Sequence, residues 1–138
     1  MINFASYFFK GIKNTLRLQN GVHFSYKGPW KLLYADTVLD EWYVGDFMSA
    51  EYSIVVDYGT NDKEIIKCLV VAGPETANIV TYGRTNLGRN LIEISADVNA
   101  SKVRLIVNPA TFDDSTVGIG SKVIFNATYY HTLNALGA

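Results

Sequence analysis

The sequence is poor in the residues that usually announce chemistry. Its 138 residues include one cysteine, two histidines and three prolines, and no run approaches the roughly 18 apolar residues of a membrane span. A single cysteine excludes an internal disulfide, and Cys68 lies in an alternating apolar run, where a small core hydrophobe is expected. His23 and His131 sit in strand-like runs without Cys, Asp or Glu at ligand spacing. Neither a metal site nor histidine acid–base chemistry is expected from them, and no cofactor is called for. Charge is scarce as well: 18% of residues are Asp, Glu, Lys or Arg, and 12 basic against 13 acidic residues leave a net charge of −1. Bulk electrostatic attraction to nucleic acid or to an anionic membrane is therefore not a driving force.

What the chain does have is apolar and aromatic surface. Hydrophobic residues make up 49% of it, with 9 Tyr, 7 Phe and 2 Trp, which argues against disorder and for extensive burial. One domain is the expectation, because domains cluster near ~100–150 residues and a second core would leave each half too small. An apolar surplus in so short a chain also predicts burial against other subunits.

Along the chain, residues 1–20 stand apart. Phe4, Phe8, Ile12 and Leu16 recur at a spacing near four, which suits a short amphipathic helix, while Tyr7, Phe9 and Gly11 suit an extended aromatic arm. In either form such a segment is expected to dock on its own domain or on a neighbour. Its positive charges follow the apolar run instead of preceding it, unlike a signal peptide, so the expectation is synthesis in the cytoplasm without export. From residue 21 to 138 the pattern is β. Val22–Lys27 and Trp30–Tyr34 read as short strands separated by the breaker Gly28-Pro29. Ala50, Tyr52, Ile54 and Val56 alternate with Glu51, Ser53, Val55 and Asp57 as a half-buried strand. Residues 64–72 are apolar on nearly both sides and predict a central strand. Residues 92–98 and 103–107 form a hairpin around Asn99-Ala100-Ser101, Pro109 ends its return, and 110–120 reads as a polar loop. Val123, Phe125, Ala127 and Tyr129 make a closing strand. The expected fold is all-β, an antiparallel, jelly-roll-like β-sandwich of about eight strands with a short N-terminal helix or extended arm.

Each candidate for chemistry has a plainer explanation. The acidic groups at Asp36, Asp40, Glu41 and Asp46 and at Asp113-Asp114 lack the spacing of a calcium loop and read as solvated loop or edge-strand charge. Gly83 to Gly88 and Gly118-Ile119-Gly120 read as turns, since no helix follows to complete a phosphate cradle. Arg84, Arg89, Lys102 and Arg104 are balanced by acids and form no basic groove.

Residues 47–109 resemble a β-sandwich module of virion structural proteins from contractile-tailed phages of marine cyanobacteria. The matching elements are Ser49, Ala50 and Tyr52, then Leu69 to Val71, then Tyr82 and Gly83, and finally Ser95 to Asp97 with Val103 to Pro109. The resemblance implies a non-enzymatic bacteriophage building block located in the virion, in the tail, baseplate or neck, whose partners are other virion proteins and copies of itself. A capsid decoration protein is the nearest alternative. A carbohydrate-binding, host-recognition module is another, with glycan stacked on Trp30, Trp42 and tyrosines. Phe4, Tyr7, Phe8, Phe9, Ile12, Trp30 and Trp42 are the expected assembly contacts.

Overall fold

The computed structural model describes residues 15–17, 22–112, 115–116 and 119–131; for 15–17, 22–30, 112, 115 and 116 the description is of the backbone. Every element in them is a strand: β1 (Thr15–Arg17), β2 (Val22–Leu33), β3 (Thr37–Tyr43), β4 (Phe47–Gly59), β5 (Asp62–Ala72), β6 (Ala77–Asn86), β7 (Ile92–Asn99), β8 (Lys102–Pro109), β9 (Thr111–Phe112), β10 (Ser115–Thr116) and β11 (Ser121–His131). The eight longer ones, β2 to β8 and β11, build an antiparallel sandwich of unequal layers. The large sheet has the order β1-β2-β11-β4-β5-β6 and the small sheet β3-β8-β7, with β9 and β10 forming a two-stranded ribbon.

Alternation along the strands decides which face is buried. Ala50, Tyr52, Ile54 and Val56 on β4, Ile66, Cys68 and Val70 on β5, and Val123, Phe125, Ala127 and Tyr129 on β11 share the inner face of the large sheet. Against them lie Trp42 of β3, Ile92 of β7, and Val103, Leu105 and Val107 of β8. Burying an aliphatic side chain of this size is worth about 1.5–3 kcal/mol, so this layer is the main source of stability. The closing strand β11 is central, paired with β2 on one side and β4 on the other.

Several expectations are corrected. Gly28-Pro29 does not break the chain: β2 runs through it. Lys27 pairs with Phe125 and Lys31 with Val123, so three residues oppose one in a bulge, where a proline is tolerated because ladder bonds are already interrupted. At the end of the N-terminal segment Leu16 lies in β1, paired with Phe24, so the backbone is extended at 15–17; the choice between helix and arm for residues 1–14 lies outside the described residues. The expected loop at 110–120 contains the β9–β10 ribbon.

The β7–β8 hairpin turns through Ala100 (φ 51°) and Ser101 (φ 63°). Two consecutive left-handed residues suit the twist of the flanking strands, but they strain side chains that carry a Cβ. Replacing the pair by Asn-Gly (Ala100→Asn with Ser101→Gly) is expected to stabilise the protein by about 1 kcal/mol, raising Tm by a few degrees in a thermal melt. A lower Tm would contradict this reading of the turn.

Candidate functional site

Two buried carboxyl groups hold the layers in place, and neither is open to a substrate. The first arises from a register shift on β3: Val38 pairs with Ile106 and Asp40 with Leu105, leaving Leu39 as the extra residue. A bulge breaks strict alternation, and Leu39 and Asp40 are both buried as a result. Asp40 accepts hydrogen bonds from the hydroxyl of Tyr52 (2.9 Å) and from that of Tyr129, while the indole N–H of Trp42 donates to the Tyr52 hydroxyl oxygen (3.0 Å). Asp40 and Trp42 belong to the small sheet and the two tyrosines to the large one, so the network pins one layer to the other. Around it, Phe47 stacks on Tyr129 at 4.9 Å between ring centroids, and Tyr129 stands edge-on to Tyr52 at 6.4 Å. Burial first, and the Asp40 charge second, hold the Tyr52 phenol protonated well above its ordinary range.

The second is Glu64, which shares the inner face of β5 with Ile66, Cys68 and Val70. Its carboxylate accepts a forked pair of bonds from Arg84 (2.8 and 3.1 Å), one from the Asn86 side chain (3.1 Å) and one from the backbone N–H of Leu91 (3.1 Å). Arg84 also donates to the carbonyl of Ile92. Glu64 thus fixes the segment through which the chain leaves the large sheet at β6 and enters the small sheet at β7. A buried charge is tolerated on these terms, paired and fully hydrogen-bonded. Glu64 went unremarked in the sequence pattern; its signal was an acid in phase with three apolar residues.

The outer faces of the two sheets differ in character. On the small sheet, the forked Asp97–Arg104 pair (2.7 and 2.6 Å) and the Glu41–Lys102 pair (3.5 Å) lie beside exposed Glu93 and Ser95. Val38, Ile106 and Tyr43 share that face, Tyr43 beneath the Lys102 ammonium at 5.2 Å, so it is mixed in character with its charges largely paired. On the large sheet, β4, β5 and β6 expose Val55, Ile65, Leu69, Val71, Val80 and Tyr82, with Val71 and Val80 each 54% exposed. Ser49, Leu69, Val71, Asn78, Val80 and Tyr130 line a shallow apolar groove of about 370 Å³ at one end of it. Tyr82 reaches across β5 from β6 to donate its hydroxyl proton to Glu51 of β4 (2.5 Å), a bond that pushes its phenol up to about 12. This face is the candidate functional site.

Of the sequence-predicted contacts, Trp42 is the one whose side chain is among those described. Phe4, Tyr7, Phe8, Phe9 and Ile12 lie outside the described residues, as does the side chain of Trp30. Trp42 is 6% exposed: its ring is packed into the core, which removes it as a surface platform for sugar. Asp40, expected as solvated charge, is buried by the bulge. Cys68 is buried, and burial pushes its thiol up to about 12, as suits a core residue. Among the described residues, no three His, Cys, Asp or Glu side chains gather as a metal site.

No family model and no curated protein matches the chain. Among solved structures it is similar to the tailspike protein of Acinetobacter baumannii phage AM24, at 12% identity and a TM-score of 0.46, over 83% of this chain and 27% of that one. It is also similar to the tailspike protein of Acinetobacter phage vB_ApiP_P1, at 11% identity and a TM-score of 0.38, over 88% of this chain and 23% of that one. The chain therefore spans about a quarter of the length of the tailspike chains it matches.

Removing the hydroxyl at the centre of the first network tests its role. Tyr52→Phe is expected to destabilise the fold by about 2 kcal/mol, since a buried carboxyl loses one of its donors, whereas exposed Tyr34→Phe leaves stability unchanged. The pH dependence has a definite sign. The unfolded chain releases the Tyr52 proton near 10, and the fold retains it, so this contribution is complete below pH ~10 and declines as pH rises beyond it. Urea midpoints at neutral and alkaline pH should fall less in Tyr52→Phe than in the wild type. An equal fall in both proteins would contradict the assignment.

Proposed function

We propose that this chain is a non-enzymatic structural module of a bacteriophage virion, acting in the tail assembly by packing one sheet face against neighbouring protein. The observation that carries the reading is the contrast between the two outer faces. An antiparallel sheet facing water ordinarily alternates apolar inside with polar outside. The small sheet comes nearer to this: Glu41, Lys102, Asp97 and Arg104 pair across its neighbouring strands, and its outer apolar groups are Val38, Ile106 and the Tyr43 ring, which lies under the Lys102 ammonium. The large sheet leaves aliphatic and tyrosine side chains uncovered over three adjacent strands, the composition of an interaction surface.

The sequence resemblance at residues 47–109 supplies the finer content, a module of contractile-tailed phages, and these residues span β4 to β8, including all of the exposed face on β4, β5 and β6. The two best-held carboxylates, Asp40 and Glu64, are spent on joining the layers, which supports a scaffold over a hydrolase. Mass spectrometry of washed particles separated into heads and tails tests the proposal. Peptides of this chain are expected in the tail fraction at a fixed ratio to other tail proteins. Their absence from washed particles would refute virion membership, and recovery with heads would refute the tail position.

A further inference from the structure

We infer that the outer face of β4, β5 and β6 is the seat of a second copy of this chain, stacked sheet on sheet; the inference rests on the assembly reading above and names its partner. Strand β5 is the first reason. Ile65, Leu69 and Val71 point outward while Ile66, Cys68 and Val70 point inward, and a strand apolar on both faces is the signature of one covered on both. Among the described residues, the small sheet covers one.

Size is the second reason. The exposed parts of Val55, Ile65, Leu69, Val71, Val80 and Tyr82 offer several hundred Å² of largely apolar surface, on the scale of the largest patch of an ordinary monomer. Two copies face to face double it to the size at which stable interfaces begin. Aliphatic side chains standing on a pleated surface are also what aligned sheet packing interdigitates.

Charge selects the partner. The centre of the face carries one acid and one base, Glu51 and Lys67. Glu51 lies opposite Leu69 and Lys67 opposite Ser53, so the two sit one side-chain step apart on neighbouring strands. No salt bridge reaches Lys67 among the described residues. A two-fold axis lying in the interface between these positions exchanges them, bringing each Glu51 to the partner copy's lysine and each Lys67 to the partner copy's glutamate. Two-fold contacts are built from patches that are self-complementary in this way. A face of one sign would instead call for a different protein of opposite sign.

Sedimentation equilibrium on the full chain tests this. The wild type is expected to form dimers in the micromolar range, and Val71→Lys to weaken them by at least about tenfold, with an unchanged Tm when both proteins are melted at concentrations where they are monomeric. Glu51→Lys and Lys67→Glu are each expected to weaken association by about tenfold, and the double swap to restore it to within a few-fold of wild type. A monomer at the highest soluble concentration would overturn the inference, and so would dimers indifferent to Val71→Lys, or a double swap no better than the single ones. In those cases the face is covered by another virion protein or by other segments of the chain. Because virion membership is read separately from particle fractions, a failure of stacking and a failure of the virion reading are distinguishable.

Discussion

The rest of the structure depends on one inequality: six strands in one sheet and three in the other. A sheet has two faces, and hydrophobic stabilisation is gained only where a face is removed from water. The small sheet covers the inner face of β11, β4 and β5, and there the alternation yields a continuous core from Leu33 to Tyr129. Nothing of comparable extent within the described residues covers the outer face of β4, β5 and β6, where the side chains are nonetheless apolar. The proposed function rests on that mismatch.

The two layers are joined by buried polar groups as well as by packing. Asp40, turned inward by the bulge in β3, gathers Tyr52 and Tyr129 from the large sheet; Glu64, from the large sheet, gathers Arg84, Asn86 and the start of the small sheet. Such networks are demanding, because every member needs a partner in a medium of low dielectric, and for the same reason they fix one relative placement of the layers. An unequal sandwich held by apolar contacts alone has more ways to slide. A fixed placement also keeps the open face constant in shape, which suits the proposed packing against neighbouring protein.

Much of this was legible in the residues. Period-two alternation located the inner faces of β4 and β11 and the β7–β8 hairpin, because side-chain direction in a strand follows parity. The same rule fails wherever one extra residue enters. The bulge at Leu39 separates Val38 from Asp40, so that Asp40, read as solvated charge because its cluster lacks calcium-loop spacing, turns inward with Trp42 while Val38 turns outward, and the bulge opposite Ile124 carried β2 through Gly28-Pro29. Trp42 was read as an assembly contact or a sugar-stacking residue; in the fold it shares the inner side of β3 with Asp40 and is closed over by Phe47 and Tyr129. The pattern of β5 was read correctly as central and apolar on both sides, yet local periodicity does not say what lies above a face. Strand order and the three-strand cover arise from pairings between residues far apart in sequence, such as β11 with β4.

Oxidative footprinting of side chains, carried out on the dilute chain and on the assembled protein, tests the central claim most directly. The account predicts that Leu69, Val71 and Tyr82 lose reactivity on assembly while Tyr34 and Tyr43, away from the open face, react equally in both states. Unchanged reactivity of Leu69, Val71 and Tyr82 in the assembled protein would show that the open face stays in water and would contradict the account.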